Sequence, residues 1–352
     1  MRSLIIHAPN VHQGGGRALL VDMLQILDAR SNCKVILDAR LELAAPLPQN
    51  VVQVRVNNTL FGRLMAEWTL HSMATPEDAV LCFGNLPPLF NVKANLFVFL
   101  QNRYLVGRAN LSRLPLLKRL QVLIERMWLR WRVSSVNSVI VQTPTMQREV
   151  WRHLGVKAEI IPFLQNAGGY RRRVEPRENV AHPASDFLYV ASGDPHKNHV
   201  QLIEAWKLLA REGMYPSLQL TVQDGAYPGL LAWINRQKRR YRLRVENVSL
   251  KPTQDVGEFY GSAGALIYPS TLESLGLPLI EARAWGLQIL APELDYVRDL
   301  VDREQTFDPN SPVSIARAVK RHLQQQEQAL PLVSPHAFMQ QVVTKPGELQ
   351  PG

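Results

Sequence analysis

Two acids, Glu273 and Glu281, with seven residues between them, have the spacing that says most about chemistry in this chain. They lie in Ala265-Leu-Ile-Tyr-Pro-Ser-Thr-Leu-Glu-Ser-Leu-Gly-Leu-Pro-Leu-Ile-Glu-Ala282. An apolar strand ends at Tyr268-Pro269, a loop carries Glu273, and Gly276 and Pro278 open a helix that carries Glu281. Glycine permits close backbone approach, and proline suits the first turn of a helix. A helix start presents unpaired N–H groups and the positive end of a dipole, which suits an anion such as a diphosphate. Carboxylates so placed accept hydrogen bonds from vicinal hydroxyls. The plain alternative is one ordinary loop acid and one ordinary helix acid.

Further candidates lie upstream. Ser192-Gly193-Asp194-Pro195 forms a turn that leads through His196 and Lys197 into a helix. Gly14-Gly15-Gly16, after the first apolar run and beside His12, lets the backbone approach a phosphate or sugar, but is not a full dinucleotide fingerprint. His12 and His196 are site candidates or structural histidines. No carboxylate–histidine cluster has metal-ligand spacing, so no protein-bound metal is expected.

The elements that must position these residues follow from periodicity. Strands are expected at Leu4–His7, Val35–Leu37, Val51–Val56, Ala79–Phe83, Leu96–Leu100, Ser138–Gln142 and Ala158–Pro162, then at Phe187–Ala191, Leu218–Val222, Val245–Leu250, Ala265–Tyr268 and Gln288–Ala291. Helices are expected at Arg17–Asp28, Leu116–Trp131, Thr145–His153, His199–Arg211, Leu230–Arg239 and Pro278–Trp285. Continuously apolar strands alternating with helices predict parallel sheets covered on both faces, a doubly wound α/β class. Gly168-Gly169, Arg171-Arg172-Arg173, Pro176 and Pro183 read as a linker. The predicted division is therefore a first domain over 1–165, a second over 166–330 and a tail over 331–352.

Length and composition bound the class. The 352 residues are 46% hydrophobic, which suits two packed cores and excludes a disordered chain. Two cysteines cannot build a disulfide scaffold, and no run reaches the length of a membrane span. The N-terminus reads as a first strand, and a cytoplasmic protein is expected. A net charge of +10 suits phosphorylated small molecules, an anionic membrane or nucleic acid. No nucleic-acid motif accompanies the charge, so nucleic acid is not an expected partner. Leu116–Trp131 repeats leucines and tryptophans at helical spacing among Lys118, Arg119, Arg126 and Arg130. Two readings stand: a core-facing helix with a solvated basic face, or a surface helix lying on anionic lipid through residues 116–132.

The acidic string resembles the E-x7-E signature of family 4 (group 1) retaining glycosyltransferases. Phe187–Trp206, Gln219–Gly225, Asn247–Leu250 and Glu159–Pro162 match that family in the right order, and the likeness runs from Val139 to about Lys320. The resemblance implies a GT-B fold: two Rossmann-like domains facing across a cleft. It implies a metal-independent enzyme, without cofactor, that moves a sugar (hexosyl type) from a nucleotide diphosphate donor to an acceptor hydroxyl. By that resemblance Glu281 binds ribose, while Glu273 contacts the transferred sugar and supports positive charge at its ring. Ser274, Gly276 and Leu277 hold the diphosphate, with Gly193 and the Gly15-Gly16 loop nearby. Lys197 steadies the departing phosphates, and the base rests near Lys251-Pro252. Two departures stand out. Ser192 occupies the place of a phosphate-gripping arginine, and Gln101 and Asn102 replace a sugar-facing histidine. The implied acceptor is a saccharide or lipid-linked saccharide, used in surface polysaccharide or lipopolysaccharide synthesis at the inner membrane face. A degenerate binding protein, or a GT-B epimerase or phosphorylase, is the alternative.

Overall fold

The computed structural model describes residues 3–28, 32–43, 45–107, 111–163, 184–249, 256–301 and 305–325. Its strands are β1 Leu4–Ala8, β2 Cys33–Asp38, β3 Val52–Val56, β4 Ala79–Cys82, β5 Asn95–Phe99, β6 Ser138–Val141 and β7 Ala158–Ile160 in the first half. The second half has β8 Ser185–Tyr189, β9 Leu218–Leu220, β10 Val245–Asn247, β11 Ala263–Ile267, β12 Gln288–Pro292 and β13 Gln305–Phe307. The helices are α1 Gly14–Gln25, α2 Leu60–Met73, α3 Leu116–Arg132, α4 Pro144–Leu154, α5 His199–Arg211, α6 Pro228–Tyr241, α7 Gly257–Ser262, α8 Leu277–Ala284, α9 Asp295–Arg298 and α10 Pro312–His322.

The strands pair into two parallel sheets of seven and six strands, ordered β3-β2-β1-β4-β5-β6-β7 and β10-β9-β8-β11-β12-β13. Both orders reverse direction at the first strand of the sheet, and ligands of open α/β sheets bind beyond the strand ends at such a switch point. The central strands, such as β1 and β11, are apolar on both faces because helices cover both faces. In the second half, Leu202, Ile203, Trp206 and Leu209 of α5 are buried against Phe187, Leu188 and Tyr189 of β8 in a single core. Trp206 satisfies its indole N–H on the Pro216 carbonyl at 2.9 Å.

Local signals set the helix ends. Thr143 caps α4 by accepting from the Met146 N–H, Pro144 occupies its first turn, and Gly155 (φ 70°) closes it. Ser311 caps α10 in the same way, accepting from Ser314. α1 begins at Gly14 and ends at Gln25, so Gly15 and Gly16 lie inside its first turn rather than in a preceding loop. The extended conformation of Gln13 is what starts the helix there. The predicted boundary at 165/166, the Arg171–Arg173 cluster and the 331–352 tail all lie outside the described residues.

One of the two readings of residues 116–132 fails. In α3 only Val122 and Leu129 are buried. Leu116, Leu117, Leu120, Leu123, Ile124, Met127 and Trp131 are exposed, Leu117 at 85% and Trp131 at 67%. The apolar stripe faces away from the sheet, so the core-facing reading of this helix fails. The short buried side is enough to seat the helix on Leu100, Val139 and Val141. The wide apolar side has nothing over it among the described residues.

Candidate functional site

The structure brings Lys197 and Glu273 together. Lys197 ends a 3-10 turn over Pro195–Lys197, followed by Asn198 in the left-handed region (φ 63°). Asparagine tolerates that conformation, and here its amide is also used. Asn198 Nδ2 donates to the carbonyls of Pro269 (3.2 Å) and Pro309 (2.6 Å), which ties the turn to the loop after β11. Tyr189 Oη donates to the Lys197 carbonyl at 2.5 Å. So held, Lys197 Nζ lies 2.6 Å from Glu273 Oε1, with the side chains 16% and 12% exposed.

Glu273 also accepts from Ser270 Oγ at 2.6 Å and Tyr268 Oη at 2.8 Å. Burial alone would raise its pKa. The Lys197 charge, with His196 and the hydrogen bonds from Lys197 and Ser270, overcomes burial and holds the carboxyl below its ordinary value. Burial pushes Tyr268 up, reinforced by the Glu273 charge, so its phenol stays protonated and donates. Glu281 has a different environment. Its Oε2 accepts from Tyr260 Oη at 2.6 Å. Burial raises its pKa, the Tyr260 bond opposes this, and Asp22 of α1, across the domain boundary, raises it further. The two acids thus belong to one junction but to separate hydrogen-bond sets.

Gly276 carries φ 76°, a conformation that favours glycine, immediately before α8. Among the described residues none accepts from the N–H groups of Ser274, Gly276 or Leu277. They are orphan donors of the kind an anion satisfies.

The first domain reaches this loop directly. Arg103 Nη1 donates to the Glu273 carbonyl (3.4 Å), while its Nε and Nη2 hold Glu149 Oε1 (3.1 and 2.6 Å). Thr143 Oγ1 donates to the Ser274 carbonyl at 3.1 Å. The Thr145 N–H donates to Asp299 Oδ2 at 2.9 Å. A Cβ on Gly15 would lie 3.5 Å from Leu277 Cδ1, so α1 starts against the same loop. Sequence reasoning missed Arg103, Thr143, Tyr260 and Asn198 as site builders. Arg103, next to Gln101-Asn102, and Asn198, next to Lys197, had a signal nearby.

The remaining candidates fall as follows. Gln101 Oε1 lies 3.4 Å from where a Gly16 Cβ would be, and Gln101 Nε2 donates to the Phe83 carbonyl at 3.4 Å. Asn102 is spent locally: its Oδ1 accepts from the Tyr104 N–H and caps a 3-10 turn. His12 Nδ1 lies 3.6 Å from Asp38 Oδ2. Ser192 Oγ donates to Asp194 Oδ2 at 2.7 Å. Gly193 lies under Tyr227, whose ring would meet an added Cβ at 2.4 Å. Lys251 and Pro252 lie outside the described residues. Among the described residues no group of three or more His, Cys, Asp or Glu is placed to hold a metal.

Two facing parallel α/β sheets, with a charged pair and orphan N–H groups at the junction between them, define the GT-B architecture. The fold is shared with Anabaena Alr3699/HepE, solved in complex with UDP (TM-score 0.67, 16% identity, 92% of this chain and 90% of that one). It is shared also with an α,α-trehalose-phosphate synthase (UDP-forming) from Burkholderia vietnamiensis (TM-score 0.65, 14% identity, 92% of each chain). Residues 171–333 match the family described as glycosyl transferases group 1. Among similar sequences, the O-antigen chain mannosyltransferase B of Escherichia coli is 27% identical over 140 residues, 39% of this chain and 36% of that protein. The serotype-specific mannosyltransferase WbdA of Escherichia coli is 29% identical over 149 residues, 41% of this chain and 18% of that protein. The match thus spans well under half the length of either relative.

Proposed function

We propose that this protein is a retaining, metal-independent glycosyltransferase of the family 4 kind, working in polysaccharide or lipopolysaccharide assembly. The observation that carries the reading is the Lys197–Glu273 pair, 2.6 Å apart beside the start of α8. A fixed cation there meets negative charge as it grows on a departing diphosphate. The orphan N–H groups of Ser274, Gly276 and Leu277 hold the phosphate oxygens. Glu281, released from Tyr260 or sharing it, accepts from ribose hydroxyls.

In the reaction, the bond from the sugar's anomeric carbon to the diphosphate oxygen breaks. The acceptor hydroxyl forms the new bond on the same face. Its proton passes to the diphosphate oxygen that has just departed, and the nucleoside diphosphate leaves. Gln101 and Asn102 are not bases at neutral pH, which suits proton transfer to the leaving group. Ser192, bonded to Asp194, leaves the phosphates to Lys197, with Arg103 anchoring the loop from the first domain.

The donor is a nucleotide diphosphate sugar and the acceptor a saccharide, in the finer reading a lipid-linked one at the cytoplasmic membrane face. α3 supports that placement, since its apolar side is exposed between basic residues. No helix among the described residues is long and apolar enough to cross a membrane, so the proposed attachment is peripheral. Screening nucleotide diphosphate sugars for slow hydrolysis and for thermal stabilisation tests the reading. One donor should give both responses. Stabilisation without turnover, even with saccharide acceptors, would favour a non-catalytic binding protein. Turnover to an epimer or a sugar phosphate would favour the epimerase or phosphorylase alternative.

A further inference from the structure

We infer that the first domain docks on an anionic lipid bilayer through two helices at once, with α2 and the segment at Phe90 forming a second apolar ridge beside α3. The inference rests on the peripheral reading of α3 and extends it to a surface whose sequence pattern gave no warning.

α2 is apolar on two opposite sides. Ala66 and Leu70 face the core against Val80, Cys82 and Val98. Phe61, Leu64, Met65 and Trp68 recur at i, i+3, i+4 and i+7 and are exposed, Phe61 at 74% and Trp68 at 64%. Right-handed crossovers put α2 and α3 on the same face of the first sheet, and their core clusters meet at Val136. The seam between the helices is stitched. The Arg63 guanidinium lies 5.2 Å from the Trp128 ring centre. Glu67 of α2 accepts from the Leu89 N–H at 2.8 Å. Arg132 of α3 donates to the carbonyls of Pro88 (3.2 Å) and Phe90 (3.3 Å). Phe90 itself is exposed in that seam.

The charge on this face selects the occupant. Arg119 donates to the carbonyls of Leu111 and Ser112, Arg130 to that of His153, and Lys118 to the Gln121 amide oxygen. Among the described residues no cation of α3 pairs with a carboxylate. A guanidinium bonded to a carbonyl keeps its full charge for a phosphate surface. A second copy docked through the same face would set two basic surfaces against each other, which disfavours self-association. Leucine, tryptophan and phenylalanine flanked by lysine and arginine are the composition that settles at the boundary of headgroups and acyl chains. Soluble monomers rarely leave large apolar patches bare.

The test is flotation of the full chain with phosphatidylcholine vesicles and with mixed phosphatidylcholine–phosphatidylglycerol vesicles. The wild type should float with the mixture and not with phosphatidylcholine alone. Phe61→Ser with Trp68→Ser on α2 should weaken binding roughly tenfold or more, as should Leu117→Ser with Trp131→Ser on α3. All four residues are exposed, so the variants should keep the wild-type melting temperature. If the α2 variant floats like wild type while the α3 variant does not, the two-helix surface is wrong and the α3 reading survives. If wild type ignores anionic vesicles, both fail. If light scattering finds a dimer that the α2 variant converts to monomer, the occupant is a second copy and the inference is overturned.

Discussion

The junction of the second domain and the outer face of the first break the same rule in opposite directions. At the junction an acid and an ammonium are turned inward, each less than one-fifth exposed, and every oxygen donor around them is spoken for. On the outer face leucines and tryptophans are turned outward, while the same helices bury only a narrow strip. Both arrangements cost stability relative to an ordinary partition of polar and apolar groups. Folds tolerate such costs where function needs them. On the proposed reading, the inward charges are fixed for a ligand small enough to be enclosed, whereas the outward apolar groups meet a surface too large to enclose.

Removing the inward charges should do the most damage. Glu281→Ala and Lys197→Met are each expected to lower sugar transfer by about 100-fold or more, measured as nucleoside diphosphate release. Lys197→Met also strands the Glu273 carboxylate and should destabilise the fold by about 3 kcal/mol in urea titrations. The outward serine variants of α2 and α3 should by contrast stay within about 0.5 kcal/mol of wild type. Equal destabilisation in the two regions would dissolve the comparison.

The contact between domains should rank next. Arg103→Lys keeps a charge beside Glu149 but loses the fork that reaches the Glu273 carbonyl. A fall in transfer of roughly tenfold is expected, with little change in melting temperature. Transfer at the wild-type rate would remove Arg103 from the site.

A further effect is one of pH, and it is expected in both domains alike. His7 of β1 and His199 of α5 are both buried, and burial lowers each pKa to about 3, aided by the charges of Arg63 and Lys197 respectively. Both are neutral in the fold at pH values where the unfolded chain begins to bind protons, so each removes stability as pH falls from about 6.5 toward 3. His7→Leu and His199→Phe should each flatten the dependence by about 1.4 kcal/mol per pH unit between pH 6 and pH 4, read from urea midpoints. An unchanged slope would mean that the ring is charged in the fold. Glu273 acts with the same sign in a more acidic window: its depressed pKa contributes stability that is fully present above its unfolded value and is lost as pH falls further.

The second domain was far more legible in the sequence than the outer face of the first. Its central strands are largely apolar, as in Phe187–Ala191 and Ala263–Ile267, and the acid–loop–helix string carries its turn chemistry in Gly276 and Pro278. α2 escaped because its two apolar sides, Ala66 and Leu70 within and Phe61 and Trp68 without, blur the helical period. The stripe of α3 was visible, but periodicity fixes only that a stripe exists and not which way it faces. α10 hides in alanines and basic residues, and β13 is three residues long. Lys197 and Glu273 were legible as residues. Their pairing was not, because it depends on Asn198 reaching two proline carbonyls from distant segments.

The most direct measurement is donor cleavage by the full chain and by Lys197→Met, Glu281→Gln and the α2 serine variant, given one stabilising nucleotide diphosphate sugar and no vesicles. Release should persist in wild type and in the α2 variant and collapse in the two junction variants. Equal release from all four proteins, or none from any with every donor tried, would contradict the assignment of transfer chemistry to this junction.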